Sequence, residues 1–405
     1  MQGTRVWIAC SVPVAVLLSS VSRGADDYSP RALFEGGEWS LDARYRVETV
    51  DQDNALDSAT ASTLRTRGGF ETNPSLMFGA KIEVEDVHAI GGQHYNSTTN
   101  HRTRYSVVPD PNATEVNQAY LSARGSGFAA RIGRQAIVLD NSRYIGDAGF
   151  RQNQQTFDAL TLQATTPTGS RFIYDYLWKI HRFFGDDHPL GELDLRSHLL
   201  NYSLGRLNGD RLTAYGYLVE FDAAPLKDSS TQTFGVSYDG SRDVSKRKVL
   251  YRAEYAHQAD YADSARDVNA WYGNLELGLR FSSQWVATAG VEWLSGDGIS
   301  SFQTPLGTLH KFNGFADIFA EATPAEGLQD RYLRLYVPIE STRFIVTVHD
   351  FRSDSTSRDY GSEVDAELNW RLTSSWLVGV KFADYNANGL AIDTRKAWLW
   401  VEADF

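Results

Sequence analysis

Apolar and polar residues alternate along most of the chain. In the closing segment, 396–405, every second residue is apolar: Ala397, Leu399, Val401, Ala403 and Phe405. The positions between them include the charged residues Lys396, Glu402 and Asp404. A period of two residues is typical of a β-strand with two unlike faces. We therefore expect one face of this segment to contact an apolar phase and the other to contact water.

About 18 segments alternate in this way. They are residues 39–50, 62–72, 75–88, 115–123, 128–138, 154–165, 171–184, 195–204, 211–222, 231–239, 247–259, 269–281, 285–295, 331–340, 343–351, 361–371, 375–385 and 394–405. Connections after even-numbered segments are short and rich in Gly, Pro, Asn and Ser, whereas those after odd-numbered segments are mostly longer.

This pattern predicts an all-β fold, a transmembrane antiparallel β-barrel of about 18 strands of the bacterial outer-membrane type. The apolar partner of the last segment is then lipid, and the last strand pairs with the first so that no sheet edge remains open. A soluble sandwich or propeller is the alternative. The aromatic content of 12 % favours the barrel, because amphipathic rings collect at membrane interfaces.

The N-terminus has the features of a secretory signal peptide: Arg5, a short apolar run to about Leu18, and small residues before Asp26. We expect residues 1–24 to form this signal and residues 25–405 to form a single barrel domain in the outer membrane of a Gram-negative bacterium. Cys10, the single cysteine, lies in the signal, so the mature chain has no thiol for disulfides or zinc. The net charge of −12 argues against a nucleic-acid partner.

Three motifs are similar to those of the alginate-export family of outer-membrane porins. They are Gly133-Arg134-Gln135, the segment from Asp140 through Asn141 and Arg143 to Gly146, and the segment from Arg151 through Thr156 and Phe157 to Asp158. A fourth lies in 309–319, LHKFNGFADIF. The resemblance implies an 18-stranded barrel in the outer membrane. The family is divergent in substrate, so the resemblance implies alginate itself less firmly.

Basic residues on the predicted lumen face are the candidate pore-lining and substrate-binding residues. They are Arg44, Arg46, Arg65, Arg67, Lys81, Arg252, Arg280 and Arg334 on strands, with Arg134, Arg143 and Arg151 at the family motifs. Lys179 and Lys381 share this face by parity, as do many acidic residues, among them Glu363, Asp365 and Glu367. The first four arginines could form a solute site or be neutralised by neighbouring Asp42, Glu48, Glu83 and Glu85.

Two connections, 137–154 and 296–330, are too long for hairpin turns, and long loops are often functional. We expect at least one of them to fold into or over the barrel mouth. The charges of segment 131–160 could lock such a loop inside the pore, or they could only brace the barrel wall.

The sequence therefore predicts a passive outer-membrane channel for an anionic saccharide or another small organic anion, by polysaccharide export or porin-type diffusion. A barrel with a catalytic or purely structural role is the alternative, although no hydrolase or phosphate-binding motif occurs. We expect no cofactor, no metal and no catalytic residue. The expected partners are outer-membrane lipid, an anionic oligo- or polysaccharide or organic anion, and a periplasmic delivery protein, with the channel itself a monomer.

Overall fold

The computed structural model describes residues 30–205, 209–281 and 284–405 of the chain. The predicted signal peptide, including Cys10, lies outside the described residues. Eighteen strands are described: β1 Glu38–Gln52, β2 Ala59–Glu71, β3 Phe78–Ala89, β4 Ala113–Gly125, β5 Phe128–Gln135, β6 Thr156–Thr165, β7 Arg171–His181, β8 Glu192–Ser203, β9 Arg211–Val219, β10 Thr231–Val244, β11 Arg247–Asp260, β12 Asn269–Arg280, β13 Val286–Leu294, β14 Leu328–Ile339, β15 Thr342–Arg352, β16 Asp359–Arg371, β17 Trp376–Ala387 and β18 Thr394–Asp404.

Helical structure in the described residues is confined to three short elements. These are the α-helix α1, Pro30–Phe34, and two 3-10 turns, Lys227–Ser229 and Leu309–Lys311. None of the helices in the described ranges is long and apolar enough to cross a membrane. The chain is therefore organised by its strands, each of which coincides with one of the 18 alternating segments.

The strands form one closed antiparallel ring in which each strand pairs with its neighbours in the sequence. Strands β1 and β18 close the ring with pairs that run from Asp42 opposite Asp404 to Gln52 opposite Thr394. Leu41 and Phe405 exchange two backbone hydrogen bonds of 3.0 and 2.9 Å, so pairing continues to the last residue. Closure leaves no unpaired backbone edge, which a membrane-spanning sheet requires. The predicted barrel, its strand number and the pairing of its ends are confirmed.

The two faces of the ring have opposite chemistry. Apolar residues of the outer face are well exposed, including Trp39 at 80 % and Phe405 at 66 % of their surface. Charged residues of the inner face, such as Arg46 and Glu48, are buried. This inversion is typical of a barrel whose outer face contacts lipid and whose inner face contacts water and polar loops.

Connections at one end of the barrel, here the turn end, are short, and those at the other, the loop end, are longer. Two loop-end connections run back into the barrel. We name them the β5–β6 loop, residues 136–155, and the β13–β14 loop, residues 295–327. An aromatic cluster packs both against the wall, with the Tyr144 ring 5.1 Å from that of Tyr215, 5.7 Å from that of Tyr272 and 6.0 Å from that of Phe302. The predicted inward folding is thus observed for both long loops.

Candidate functional site

The β5–β6 loop is held against strands β1 and β2 by arginine side chains. Arg44 donates hydrogen bonds from Nε to Oε1 of Gln152, at 2.9 Å, and from Nη1 to the carbonyl of Gly149, at 3.2 Å. Arg46 donates to the carbonyl of Phe150 and forms a buried ion pair with Asp110. Because carbonyl oxygens of the loop accept these bonds, the two guanidinium groups fix the loop backbone rather than only its side chains.

The β13–β14 loop is held by carboxylates of the opposite wall. Nδ2 of Asn313 donates to Oε2 of Glu292 at 2.6 Å. The backbone amides of Ala316 and Phe315 donate to Glu363 and Asp365 at 2.7 and 3.1 Å. The acidic residues of β16 thus bind the loop tip, which satisfies backbone donors that would otherwise be buried without partners.

The two inner loops also contact each other across the lumen. Backbone bonds of 2.9 Å join Gly146 to Leu306 and Thr308 to Ser142. A side-chain bond of 2.7 Å joins Nη2 of Arg151 to Oδ2 of Asp317. A Cβ atom at Gly146 would collide with Thr308, so this close approach requires glycine. The loops therefore form one partition that narrows the barrel.

Where the two loops meet the barrel wall, a stack of rings packs against a lysine; we name this group the constriction: Phe150, His310, Phe315, Asp317 and Lys381. The rings of Phe150 and His310 stack with centroids 3.8 Å apart and an interplanar angle of 11°. Nζ of Lys381 lies 4.0 Å from the centre of the Phe150 ring and 3.9 Å from that of Phe315, within range of a cation–π interaction.

His310 is neutral in this arrangement. Its Nδ1 donates to Oδ1 of Asp317 at 2.7 Å, and its Nε2 accepts a hydrogen bond of 3.2 Å from Lys381. The pKa of His310 is lowered to about 3. Burial is the largest cause, the charge of Asp317 partly opposes it, and the charge of Lys381 acts in the same direction as burial. Burial alone would raise the pKa of Asp317, but contacts with His310, Lys396 and Arg151 hold that pKa well below its usual value. The constriction therefore contains a fixed carboxylate bound by cations and a neutral ring.

A second set of cations lines open space on the other side of the lumen. We name Lys248, Arg252, Arg280 and Arg334 the basic wall, on strands β11, β12 and β14. They line two cavities of about 510 and 600 Å³ that share Asn141, Arg252 and Glu276 and so lie next to each other. Arg252 is paired with Glu254, and Lys248 lies 3.8 Å from Asp243. Within the described residues, Arg280 and Arg334 have no carboxylate partner.

Lys311 of the β13–β14 loop faces the basic wall. Its Nζ donates to the carbonyl of Asn141 at 2.8 Å. Burial lowers the pKa of Lys311, and the charges of Arg252 and Arg334 lower it further. The nearby cations thus disfavour the charged form of Lys311, and Asp147 and Glu276 partly oppose this effect.

Residues 37–331 match the family described as alginate export. The chain belongs to the alginate-export family. Its barrel is similar to the crystal structure of Acinetobacter baumannii OccAB4, with a TM-score of 0.73 and 12 % identity over 93 % of this chain and 100 % of that one. It is also similar to the crystal structure of Pseudomonas aeruginosa OccK9 (OpdG), with a TM-score of 0.73 and 12 % identity over 92 % of this chain and 99 % of that one. For the outer-membrane protein OpdK from Pseudomonas aeruginosa, the TM-score is 0.71 and the identity is 13 % over 92 % of this chain and 99 % of that one.

Curated protein sequences yield no match to this chain. Because the sequence identity to the solved structures is so low, the likeness to them shows only the fold. The match over residues 37–331 is what shows that the chain is a member of the family. This alginate-export family member is an outer-membrane channel barrel of Gram-negative type. The turn end is therefore periplasmic and the loop end external.

In this alginate-export family barrel, Arg44, Arg46, Arg65 and Arg67 of β1 and β2 each form hydrogen bonds or ion pairs with other residues of the protein. Arg44 and Arg46 lie beneath the β5–β6 loop, as described above. Arg65 pairs with Asp42 and with Glu402, at 3.3 Å for the latter, and Arg67 pairs with Glu85. Lys81 also pairs with Glu83, at 2.9 Å. Carboxylates therefore neutralise Arg46, Arg65 and Arg67, whereas Arg44 forms no ion pair among the described residues and binds Gln152 and loop carbonyls instead.

The remaining predicted residues divide between the loop partition, the basic wall and the outer face. Arg143 and Arg151 belong to the partition, where Arg143 lies 3.2 Å from Glu292. Arg252, Arg280 and Arg334 belong to the basic wall. Arg134 instead shares the outward parity of exposed Phe128 and Ile132, and its Nε lies 2.9 Å from Oδ1 of Asp158.

Lys179 also lies on the outer face, contrary to the parity prediction. A β-bulge between Leu177 and Lys179 shifts the alternation by one residue, so Leu177 and Ile180 both point inward and Lys179 approaches Glu192 at 3.3 Å outside the lumen. The alternation along a strand therefore predicts which side chains point into the lumen only as far as the next β-bulge, because a bulge inserts one extra residue.

Sequence reasoning missed several lumen residues that this alginate-export family barrel brings together. Lys248 shares the parity of Arg252 and could have been identified from the alternation. His310, Lys311 and Asp317 lie in the family-like segment 309–319, which was the available signal. The buried Trp398 shares the parity of Lys396 and Glu402 and could also have been identified from the alternation; its ring contacts Phe150 inside the lumen with centroids 5.8 Å apart.

Proposed function

We propose that the protein is a passive channel for small organic anions, including anionic saccharides, and that these solutes cross along the basic wall. The observation that carries this proposal is the pair of adjacent cavities beside Arg280 and Arg334, two guanidinium groups without a carboxylate partner among the described residues. An unpaired guanidinium in a narrow polar space attracts carboxylates and binds them with two parallel hydrogen bonds.

The acidic residues of β13 and β16, next to the basic wall, support the same direction of charge selection. Their carboxylates are used internally: Glu292 binds Arg143 and Asn313, Asp365 faces His349, and Glu367 pairs with Lys381. Charges that are paired and buried contribute little field to a passing ion, whereas unpaired cations contribute more. The lumen is mixed in composition: Arg280 and Arg334 form no ion pair among the described residues, and neither do Glu276 and Asp140 in the same cavities.

The loop partition favours a small solute over a continuous polymer. The β5–β6 and β13–β14 loops are tied to opposite walls and to each other, and a thick polymer would have to break these contacts to pass. A monomer or short oligomer could move through the spaces on either side of Phe150. Export of a polysaccharide remains the second version of this function and would need both loops to move.

The proposed partners follow from the surface of the barrel. Outer-membrane lipid would cover the exposed apolar face that includes Leu277 and Leu333. A monomer is the proposed state, since one chain closes its own ring. A periplasmic protein would be needed only if the solute is delivered for export.

Solute uptake by proteoliposomes tests the proposal. Protein with Arg334→Gln should take up labelled glucuronate severalfold more slowly than the natural protein and should take up neutral glucose at an unchanged rate. Arg331→Gln is the matched control, because Arg331 lies on the same strand with its exposed side chain on the outer face. Equal uptake of glucuronate and glucose by the natural protein would refute the proposed function.

A further inference from the structure

The external mouth of the lumen contains a cavity of about 400 Å³, here the vestibule. Its lining comes from the β5–β6 and β13–β14 loops, from the β3–β4 loop at 90–112, and from the β7–β8 loop at 182–191. Much of the lining is apolar: Val107, Phe150, Phe183, Phe184, Ile318 and Ile392. The constriction residues His310 and Asp317 form part of the same lining, so the vestibule borders the constriction.

Arg182 is the unusual residue of this vestibule. Its Nε is buried without a hydrogen-bond partner, and its side chain forms no ion pair within the described part of the chain. Its guanidinium carbon lies 4.9 Å from the centre of the Phe184 ring and 5.8 Å from that of Phe183. Burial lowers the pKa of Arg182 to about 10, and the charge of Glu321 only partly opposes this. The group therefore remains charged at neutral pH but is poorly compensated.

The charges facing Arg182 do not supply the missing partner. Across the vestibule, Asp317 already binds Arg151 at 2.7 Å and Lys396 at 2.9 Å. Glu321 lies in the lining but is exposed to solvent. The Arg182 side chain is partly buried, and a charge removed from water without a partner is costly; an anionic ligand is one way in which such a cost is offset.

We propose that the vestibule is a capture site for organic anions with a flat apolar body, such as an aromatic carboxylate. The carboxylate would accept hydrogen bonds from Arg182, and the body would pack against Phe183 and Phe184. A saccharide of the same charge fits less well, because the apolar lining would remove water from its hydroxyl groups without replacing those hydrogen bonds. This proposal rests on the proposed function, since it narrows the anions that the channel prefers to admit.

Binding from the external side can be measured with the full-length protein in planar bilayers. Benzoate and glucuronate carry one negative charge each, and the concentration that halves the chloride conductance reports their binding. Benzoate should bind more tightly than glucuronate. Arg182→Gln should weaken benzoate binding about tenfold, which is the effect of losing hydrogen bonds to a charged group, and Arg182→Lys should weaken it less.

Arg104→Gln is the matched control. Arg104 also lies in an external loop over an aromatic ring, 4.6 Å from the centre of Tyr105, but it is outside the vestibule. It should leave benzoate binding unchanged. Phe184→Ala should weaken the binding of benzoate and leave that of glucuronate nearly unchanged, which a purely electrostatic role of Arg182 would not predict.

The outcomes separate this inference from the proposed function. Equal binding of benzoate and glucuronate by the natural protein, or unchanged benzoate binding by a folded Arg182→Gln protein, would overturn the vestibule proposal. Folding is checked by heat-modifiable electrophoretic mobility. Arg182→Gln should keep anion selectivity in potassium chloride, because the basic wall is intact. A natural channel that prefers potassium over chloride would instead refute the proposed function.

Discussion

Single buried charges hold the inner loops, and the ion pair of Arg46 with Asp110 is the clearest case. Both side chains are 1 % exposed, and Asp110 also accepts a bond of 2.9 Å from the backbone of Gln152. Arg46→Gln should lower the free energy of unfolding by about 3 to 5 kcal/mol, because removing one partner leaves a buried charge uncompensated. Thermal denaturation in detergent, followed by electrophoretic mobility, measures this loss.

The double variant Arg46→Gln with Asp110→Asn is the control for this prediction. It should be more stable than Arg46→Gln alone, because both buried charges are removed together. If the double variant were less stable by the sum of the two single losses, the pair would contribute no coupling and the interpretation would fail.

His310 gives the barrel a defined response to acid. Its pKa is about 3 in the folded protein and near 6.5 in an unfolded chain. Between these values the unfolded state binds the extra proton, so stability falls as the pH is lowered from 6.5 towards 3, by at most about 1.4 kcal/mol per pH unit for one proton. Asp317, whose pKa is also lowered, loses its contribution in the same direction at still lower pH.

His310→Gln removes this titration and should make the melting temperature less dependent on pH between 6.5 and 4 than that of the natural protein. The comparison is made between slopes, since the substitution also removes the ring stack with Phe150 and lowers stability at every pH. Parallel slopes for the two proteins would show that His310 does not titrate as described.

At the scale of elements, the strands were predictable and the loops only in part. Alternation with period two identified all 18 strands because each has one face towards lipid and one towards the lumen. It failed at Lys179, where a bulge shifts the parity. The length of 296–330 indicated a functional loop, but its docking on Glu363 and Asp365 depends on contacts between residues far apart in the chain.

Removal of residues 300–325 should raise the single-channel conductance, because these residues fill the lumen from β13 to β16 and close the partition with the β5–β6 loop. The β11–β12 loop, 261–268, is the control, since it contacts neither inner loop through any hydrogen bond found among the described residues. An unchanged conductance after the 300–325 deletion would mean that this loop does not limit the flow of ions.

At the scale of the whole molecule, the chain is a closed barrel with an overall charge of −12 and a lumen in which Arg280 and Arg334 form no ion pair among the described residues. The sequence predicted basic residues in the lumen but placed the solute path beside Arg44 and Arg65. Parity cannot distinguish a cation that is free from one that is covered by a loop or paired with a carboxylate. That distinction moved the proposed path to the opposite side, along β11 to β14.

The reversal potential of single channels in a gradient of potassium chloride tests the central claim most directly. The natural protein should be selective for chloride, and the combined substitutions Lys248→Gln, Arg280→Gln and Arg334→Gln should shift the reversal potential towards that of potassium, with a shift that shrinks at high salt. Arg331→Gln on the outer face should cause no shift. A natural channel selective for potassium, or a triple variant with the natural reversal potential, would contradict an anion path along the basic wall.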